Sequence, residues 1–272
     1  RVVVVGGGVG GLATAGRLAY NGFDVLLLEK NAQAGGRLQS REGAPGVRFD
    51  TGPSLLLFPD KYVEAFAAMG QNLHELVELR RVEPAAYRVF FPDGEGMNGE
   101  AGSGGVLRNR PFQLDMLYDV QKMRAQLETV EPGAGLQYIK FLASARAALE
   151  AGTKQFIERD FKNLAEFLDL RKLVPLLAVV NPLELLAPHH LQVAQYFKDP
   201  RLQAMFTFQD LYVGLSPYNA PGAFSLLAAT ELTDGVWYPV GGFGKIREAL
   251  EYSASAAGVE ICRGREVKEV VP

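Results

Sequence analysis

The chain has 272 residues, of which 48% are hydrophobic and 22% are charged. Such a length and composition are typical of a globular protein that buries a sizeable core. The formal net charge of -3 includes no basic excess that would neutralise phosphates, which argues against nucleic acid as a partner. The single cysteine excludes an intrachain disulfide framework and favours an intracellular compartment.

Both ends of the sequence indicate a fragment. Arg1 runs directly into the apolar segment Val2–Val5 without an initiator Met, and Val267–Val271 has the pattern of a strand that stops at Pro272. We therefore expect a missing N-terminal segment, with which a targeting peptide could have been removed. In a photosynthetic eukaryote the protein would belong to the plastid or the thylakoid.

The first 30 residues follow the order strand, helix, strand. Val2–Val5 is a continuous β-branched run, which predicts a parallel strand covered on both faces. Apolar residues then recur at helical spacing, at Leu12, Ala15, Leu18 and Ala19. Gly22 is placed to end that helix, and Asp24–Glu29 forms the second strand. The pattern predicts a βαβ unit.

The glycines between the first strand and the helix match G-x-G-x-x-G at Gly6, Gly8 and Gly11. They permit a tight turn, a close approach of the backbone to a pyrophosphate, and contact between helix and strand. Glu29 ends the second strand, where a carboxylate accepts hydrogen bonds from ribose hydroxyls and repels a 2′-phosphate. The alternative for the glycines is a tight turn without a ligand, and for Glu29 a solvated charge. Their combined placement favours a dinucleotide site and disfavours NADP.

The next segment predicts a helix at Asp60–Met69 and strands at Val77–Val82 and Tyr87–Phe91. Pro92–Asn109 is rich in glycine and predicts a loop. From Leu114 to about Phe208 apolar residues recur at helical spacing.

The α/β alternation returns near the end of the chain. Val236–Tyr238 predicts a strand, a helix follows to about Ala257, and Val259–Cys262 predicts another strand. These changes divide the chain into a dinucleotide-binding part, an inserted helical part and a return to the first, with ranges 1–113, 114–230 and 231–272.

The run from Val2 to Ser40 resembles the FAD-binding signature of the amine oxidase and carotenoid desaturase superfamily. Gly35-Gly36-Arg37 is the distinctive extension of that signature, and in the superfamily this turn lies against the flavin. The resemblance implies FAD rather than NAD. The cofactor-binding residues that it implies are Gly6, Gly8, Gly10, Gly11, Glu29, Lys30, Gly35, Gly36, Arg37, Gly52 and Pro53.

Two later segments narrow the resemblance to bacterial-type phytoene desaturases and carotenoid isomerases. Phe49-Asp50-Thr51-Gly52-Pro53-Ser54 looks like the FDxGPS segment of that family, and the run from Gly235 to Gly242 matches its GVWYPxGG pattern. The implied architecture is α/β, a Rossmann-like FAD-binding domain with an inserted, mainly helical substrate domain. Family members are longer and carry a C-terminal segment that completes the flavin site.

Arg146 occupies a position at which similar desaturases also have an arginine, and it is the candidate catalytic residue, polarising a group near the flavin. The alternative is a charged residue on the exposed face of an amphipathic helix. Some relatives have an aspartate three residues earlier, whereas this chain has Ala143. Desaturation, isomerisation and a noncatalytic role therefore stay open.

A metal site is not expected. The three histidines are His74, His189 and His190, and no cysteine or carboxylate accompanies them at ligand spacing.

An apolar polyene substrate would be drawn from a bilayer, which implies peripheral membrane contact. The apolar segment Leu173–Leu191 is the candidate, with Arg171 and Lys172 beside it to meet anionic head groups. The alternative is a buried helical hairpin.

Three functions compete. The resemblance implies an FAD-dependent oxidoreductase acting on a long apolar polyene. A flavin amine oxidase would share the same FAD loop. A noncatalytic subunit with this fold, in a homo-oligomer or a larger assembly, is the third.

Overall fold

The structure is a computed structural model that describes residues 1–91, 112–153 and 187–271. It divides into two compact units. The first comprises Arg1–Val82 and Val236–Pro272, and the second comprises Glu83–Gly235.

The centre of the first unit is a parallel sheet of β1 (Val2–Val5), β2 (Val25–Glu29) and β9 (Glu260–Arg263), in the order β1-β2-β9. Val3 pairs with Leu26, and Leu27 pairs with Ile261. Helix α1 (Val9–Tyr20) connects β1 to β2, as the βαβ pattern predicts.

The core of this unit lies between the sheet and two helices. Leu12 and Ala15 of α1 and Leu27 of β2 are fully buried. Helix α9 (Gly244–Ala256) packs against α1 and contributes Ile246 to the same cluster. Burial of these side chains stabilises the fold by roughly 1.5–3 kcal/mol for each large aliphatic residue.

Strand β1 is not covered on both faces as its apolar run predicts. Val3 and Val5 are 53% and 57% exposed, whereas Val2 and Val4 are partly buried against the core. Successive side chains of a strand point to opposite faces, so Val3 and Val5 lie on the face away from the core, which the described residues leave exposed.

Shorter elements complete the first unit. Helices α2 (Pro59–Ala67) and α3 (Leu73–Leu76) follow two hairpin strands, β3 (Ser40–Glu42) and β4 (Arg48–Asp50). Strand β5 (Leu79–Arg81) then pairs with β8 (Trp237–Pro239) in an antiparallel ladder.

The C-terminal segment differs from its prediction. Residues 267–271 do not form a strand, and Val270 and Val271 are 77% and 79% exposed. An apolar run becomes a strand only when a neighbouring strand supplies hydrogen bonds. In the described part of the chain this segment has no such neighbour.

The second unit begins with an antiparallel pair, β6 (Ala85–Phe91) and β7 (Phe112–Leu117), and continues as helices. Because β6 pairs with β7, residues from 83 onward group with the helical part, whose predicted range was 114–230. The helices are α4 (Val120–Glu128), α5 (Ala134–Gly152), α6 (His189–Ala194), α7 (Pro200–Met205) and α8 (Ser225–Thr233).

Aromatic side chains fill the core of this unit. The rings of Phe197 and Phe206 stack with their centroids 4.7 Å apart, and Phe141 of α5 lies 5.0 Å from Phe206. All three are fully buried.

Two predicted segments fall outside the described residues, the loop Pro92–Asn109 and most of the apolar segment Leu173–Leu191. Among the described residues, no helix combines the length and the apolarity that crossing a bilayer requires.

Candidate functional site

The glycine loop joins the end of β1 to the start of α1. Gly6 has a positive φ of 95°, and its backbone N–H donates to the carbonyl of Leu28 at 2.8 Å. A Cβ on Gly11 would overlap the carbonyl oxygen of Gly6, so only glycine allows α1 to begin this close to the strand.

The space above the loop suits an anionic group. A Cβ on Gly8 or Gly10 would meet no atom of the described residues within 4 Å. Among the described residues no side chain caps α1 at Gly8, and the first turn of this helix contains no acidic residue. The helix N-terminus thus offers backbone N–H donors and a positive dipole to a pyrophosphate.

Glu29 is turned into the protein at the end of β2 and is 5% exposed. Its Oε2 accepts from the backbone N–H of Gly7 at 2.7 Å, and its Oε1 accepts from the backbone and side-chain N–H groups of Asn31, both at 2.8 Å. Burial raises the pKa of Glu29, but the hydrogen bonds from Asn31 and Gly7 outweigh that effect and lower it. The carboxylate is therefore ionised and is held in place by these hydrogen bonds. It is not a solvated charge at the end of the strand, which was the alternative interpretation of the sequence.

A cavity of about 420 Å³ adjoins this carboxylate. It lies at the carboxyl edge of the parallel sheet, where open α/β sheets bind their ligands. Its volume falls in the range of small-molecule sites. It is lined by Val5, Gly6, Leu28, Glu29, Lys30, Asn31, Gly36, Arg265, Glu266 and Val267.

Part of this lining was missed by sequence reasoning. The segment after β9 is attached to the end of β2, because Arg265 N–H donates to the carbonyl of Glu29 at 2.8 Å and Gly264 N–H donates to that of Asn31 at 3.1 Å. Sequence reasoning could have found this lining from one rule, because the carboxyl ends of neighbouring parallel strands meet at the same edge of a sheet.

A second glycine turn, Gly35-Gly36-Arg37, lies beside the glycine loop. Gly35 N–H donates to the carbonyl of Gly7 at 2.5 Å. A Cβ on Gly36 would lie 3.1 Å from the Cα of Gly8, and the φ of Gly36 is 57°. The predicted turn therefore needs glycine for its conformation and for its close approach to the loop.

Gly52 and Pro53 lie beside the same turn. A Cβ on Gly52 would overlap the carbonyl oxygen of Arg37, so this backbone approach also requires glycine. Arg37, Gly52 and Pro53 are exposed. The predicted cofactor residues, including Lys30 in the cavity lining, are thus gathered in the first unit.

Arg146 lies in the second unit, on α5. Its Nη1 donates to Asp234 Oδ1 and to Thr233 Oγ1, both at 2.6 Å, and its Nε donates to Glu150 at 2.9 Å. These hydrogen bonds, first that of Glu150 and then that of Asp234, raise the pKa of Arg146. The guanidinium therefore ties α5 to the end of α8.

A buried carboxyl group of α8, Glu231, was also missed. It is fully buried, and it accepts from Tyr212 Oη at 2.7 Å and from Gln209 Nε2 at 3.0 Å. Burial raises the pKa of Glu231 to about 7, although both hydrogen bonds act to lower it. Its burial depends on helix packing that a local pattern does not reveal.

The histidines have separate environments. His189 is buried, and its Nδ1 lies 3.0 Å from both carboxylate oxygens of the buried Asp210. Burial lowers the pKa of His189 and raises that of Asp210. Within the described residues, no group of three potential ligands is arranged for a metal ion.

The first unit therefore contains backbone N–H donors for a pyrophosphate, a buried carboxylate for ribose hydroxyls and a cavity for a base. The fold and the site thus define a dinucleotide-binding protein of the α/β class.

The chain belongs to the flavin containing amine oxidoreductase family, whose model matches residues 9–272. Its cofactor is FAD, as the glycine turn and Glu29 predict.

The chain is similar in sequence to carotenoid desaturases. The chain is 35% identical over 271 residues to a zeta-carotene-forming phytoene desaturase of Myxococcus xanthus, covering 100% of this chain and 48% of that protein. It is 36% identical to a phytoene desaturase of Neurospora crassa, over 99% of this chain and 42% of that protein. The chain therefore spans less than half the length of these curated relatives.

The fold also occurs in solved structures. An oxidoreductase from Methanosarcina mazei is 18% identical, with a TM-score of 0.57 over 99% of this chain and 52% of that one. At this identity the likeness concerns the fold alone.

Proposed function

We propose that the protein is an FAD-dependent oxidoreductase that removes hydrogen from a long apolar polyene of the carotenoid class. The observation that carries the proposal is the match of the whole chain to carotenoid desaturases, combined with a built dinucleotide site in the first unit. The reaction, its substrate and its partners are parts of this proposal.

When FAD is bound, it serves as the hydride acceptor. The residues of this chain bind and orient it. The N-terminus of α1 would face the pyrophosphate of bound FAD, Glu29 would accept from its ribose hydroxyls, and the cavity beside Arg265 would receive its adenine. A buried carboxylate that is already ionised gains these hydrogen bonds without first losing a proton.

A membrane-resident substrate also implies contact with the bilayer surface, and Leu173–Leu191 is the proposed contact segment. Liposome flotation tests this part. Replacing Leu176, Leu177, Val179 and Val180 with polar residues should abolish flotation in a protein that stays folded. Unfolding of that variant would instead identify the segment as core.

Product analysis tests the main proposal. The protein is incubated with phytoene in liposomes, with prolycopene, and with a simple amine such as putrescine, while flavin reduction is followed by absorbance. Conversion of phytoene to longer conjugated products supports desaturation, and conversion of prolycopene alone identifies an isomerase. Oxidation of the amine alone would overturn the polyene assignment, and a flavin-loaded protein that turns over none of the three would support the noncatalytic alternative.

A further inference from the structure

Two motifs that are far apart in the sequence meet at one carboxylate. Asp50 Oδ2 accepts from Tyr238 Oη at 2.7 Å and from the backbone N–H of Phe243 at 3.0 Å. Asp50 ends β4 in the Phe49–Ser54 segment, whereas Tyr238 lies on β8 in the GVWYPxGG segment. The carboxylate therefore joins both segments.

The same carboxylate caps helix α9. Phe243 precedes the first residue of this 13-residue helix, which has no side-chain cap of its own and no acidic residue in its first turn. Asp50 supplies the missing acceptor and the negative charge that a helix N-terminus favours. A Cβ on Gly242 would lie 2.9 Å from Asp50 Oδ1, and the φ of Gly242 is 90°, so glycine is needed for this approach.

Tyr238 is held as a donor in this arrangement. The hydrogen bond to Asp50 is the largest cause that raises the pKa of Tyr238. The phenol therefore keeps its proton at neutral pH and continues to donate to the carboxylate.

Asp50 is connected to the second glycine turn along the chain. The next residue, Thr51, donates its N–H to the carbonyl of Gln39 at 2.9 Å. Gly52 then lies against the carbonyl of Arg37, where a side chain would not fit. A shift of Asp50 would therefore also displace Gly52 and, through it, the turn at residues 35–37.

Helix α9 provides a second connection to that turn. Arg247 lies in its first turns, and its side chain covers Gly35 so closely that a Cβ on Gly35 would overlap the Arg247 Cγ. Arg247 is also tied to its own helix by Glu248 and Glu251, at 3.2 and 3.3 Å. The position of the start of α9 thus affects the turn from its other side.

We propose that Asp50 is a positioning residue for the flavin end of FAD, acting through the start of α9 and through Gly52 on the turn Gly35-Gly36-Arg37. Glu29 and the part of the cavity lined by Arg265, Glu266 and Val267 serve the adenosine end instead. The inference deepens the proposed function, since it rests on the same cofactor, but it does not depend on the polyene substrate. It predicts that the two ends of FAD respond to different residues.

The test compares FAD with ADP, which contains the adenosine and pyrophosphate but lacks the flavin. Binding of each to the full chain is measured by titration calorimetry for the wild type, Asp50→Asn and Tyr238→Phe. Asparagine keeps an acceptor for one bond but loses the charge at the helix terminus. We expect Asp50→Asn to weaken FAD binding by roughly five- to ten-fold, which is less than the loss of a charge-assisted hydrogen bond made directly to the ligand because Asp50 acts through the turn, and to leave ADP binding within about two-fold. Tyr238→Phe should shift FAD binding in the same direction by less.

Glu42→Gln is the matched control. Glu42 is on the same hairpin, is exposed, and accepts a longer hydrogen bond from Gly46 N–H at 3.3 Å. It should change neither affinity, and the visible spectrum of bound flavin should shift in Asp50→Asn only.

Unchanged FAD affinity in Asp50→Asn, or an equal loss for FAD and ADP, would overturn the proposal. If Asp50→Asn does not fold, Tyr238→Phe carries the same comparison, and a loss of FAD affinity no larger than its loss of ADP affinity is the contrary result. Absence of polyene turnover would contradict the proposed function alone, because no arm of this test uses that substrate.

Discussion

Arg146 Nη1 and Asp234 Oδ1 lie 2.6 Å apart and connect α5 to the residue that follows α8. The side chains are 38% and 34% exposed. The arginine is therefore engaged by carboxylates of its own unit. This geometry favours a structural role for the residue that the sequence singled out for catalysis.

Arg146→Ala should destabilise the protein by about 1 kcal/mol, because partly exposed ion pairs contribute little and are screened by salt. Arg146→Lys should recover only part of that loss, since one ammonium does not reproduce the fork that reaches both Glu150 and Asp234. Urea denaturation at low and high salt measures both effects. An Arg146→Ala protein with unchanged stability and more than ten-fold reduced turnover would restore the catalytic interpretation.

Glu231 makes stability depend on pH. Its pKa is raised to about 7 in the folded protein from an ordinary value of 4.5, so the folded state binds a proton that the unfolded state has released. The stabilisation is fully present below about pH 4.5 and is lost as the pH rises through 7, and it amounts to roughly 3 kcal/mol for this one group.

Glu231→Gln should flatten this part of the stability profile. The amide oxygen can still accept from Tyr212, and the amide can donate to Gln209 Oε1, which has no hydrogen-bond partner among the described residues. Denaturation midpoints between pH 4.5 and 8 measure the difference between the two proteins. Parallel profiles for wild type and variant would show that Glu231 titrates normally.

Two glycines of the same loop should respond differently to alanine. Gly11→Ala should destabilise the ligand-free protein, because the new Cβ overlaps the carbonyl oxygen of Gly6. Gly8→Ala should leave the ligand-free protein folded, because a Cβ there has no neighbour within 4 Å in the part of the chain that the structure describes. It should nevertheless weaken FAD binding, since the methyl group enters the space proposed for the pyrophosphate.

Thermal melts with and without FAD separate these effects. FAD should raise the melting temperature of the wild type more than that of Gly8→Ala. An equal shift for both proteins would mean that the pyrophosphate does not lie over Gly8.

The features that were predictable from sequence are those with local causes. The strand, the glycine loop and α1 follow from apolar spacing and from glycines that lie next to one another in the chain. The boundaries of β5 and α2 agree with their predictions to within a few residues, because their apolar patterns are also local.

The features that were not predictable depend on contacts between residues that are far apart in the sequence. Arg265 borders the cofactor cavity only because β9 adds to β2, more than 200 residues away in sequence. Burial of Glu231 and the cap that Asp50 provides to α9 likewise require tertiary packing. Val3 shows the converse, since its apolar run predicted burial, but the face of β1 on which it lies is left exposed among the described residues.

The central claim is that FAD binds the glycine loop with its adenosine ribose on Glu29, and affinity for FAD tests it most directly. Glu42→Gln is the matched control, since it removes the charge of an exposed carboxylate that does not line the cavity. Circular dichroism of the ligand-free proteins checks that Glu29→Ala, which also loses the bond to Gly7, remains folded. The account predicts that Glu29→Ala weakens FAD binding by roughly 1.5–3 kcal/mol, the contribution of a charge-assisted hydrogen bond, while Glu42→Gln changes it little. A folded Glu29→Ala protein that binds FAD as tightly as the wild type would contradict the account.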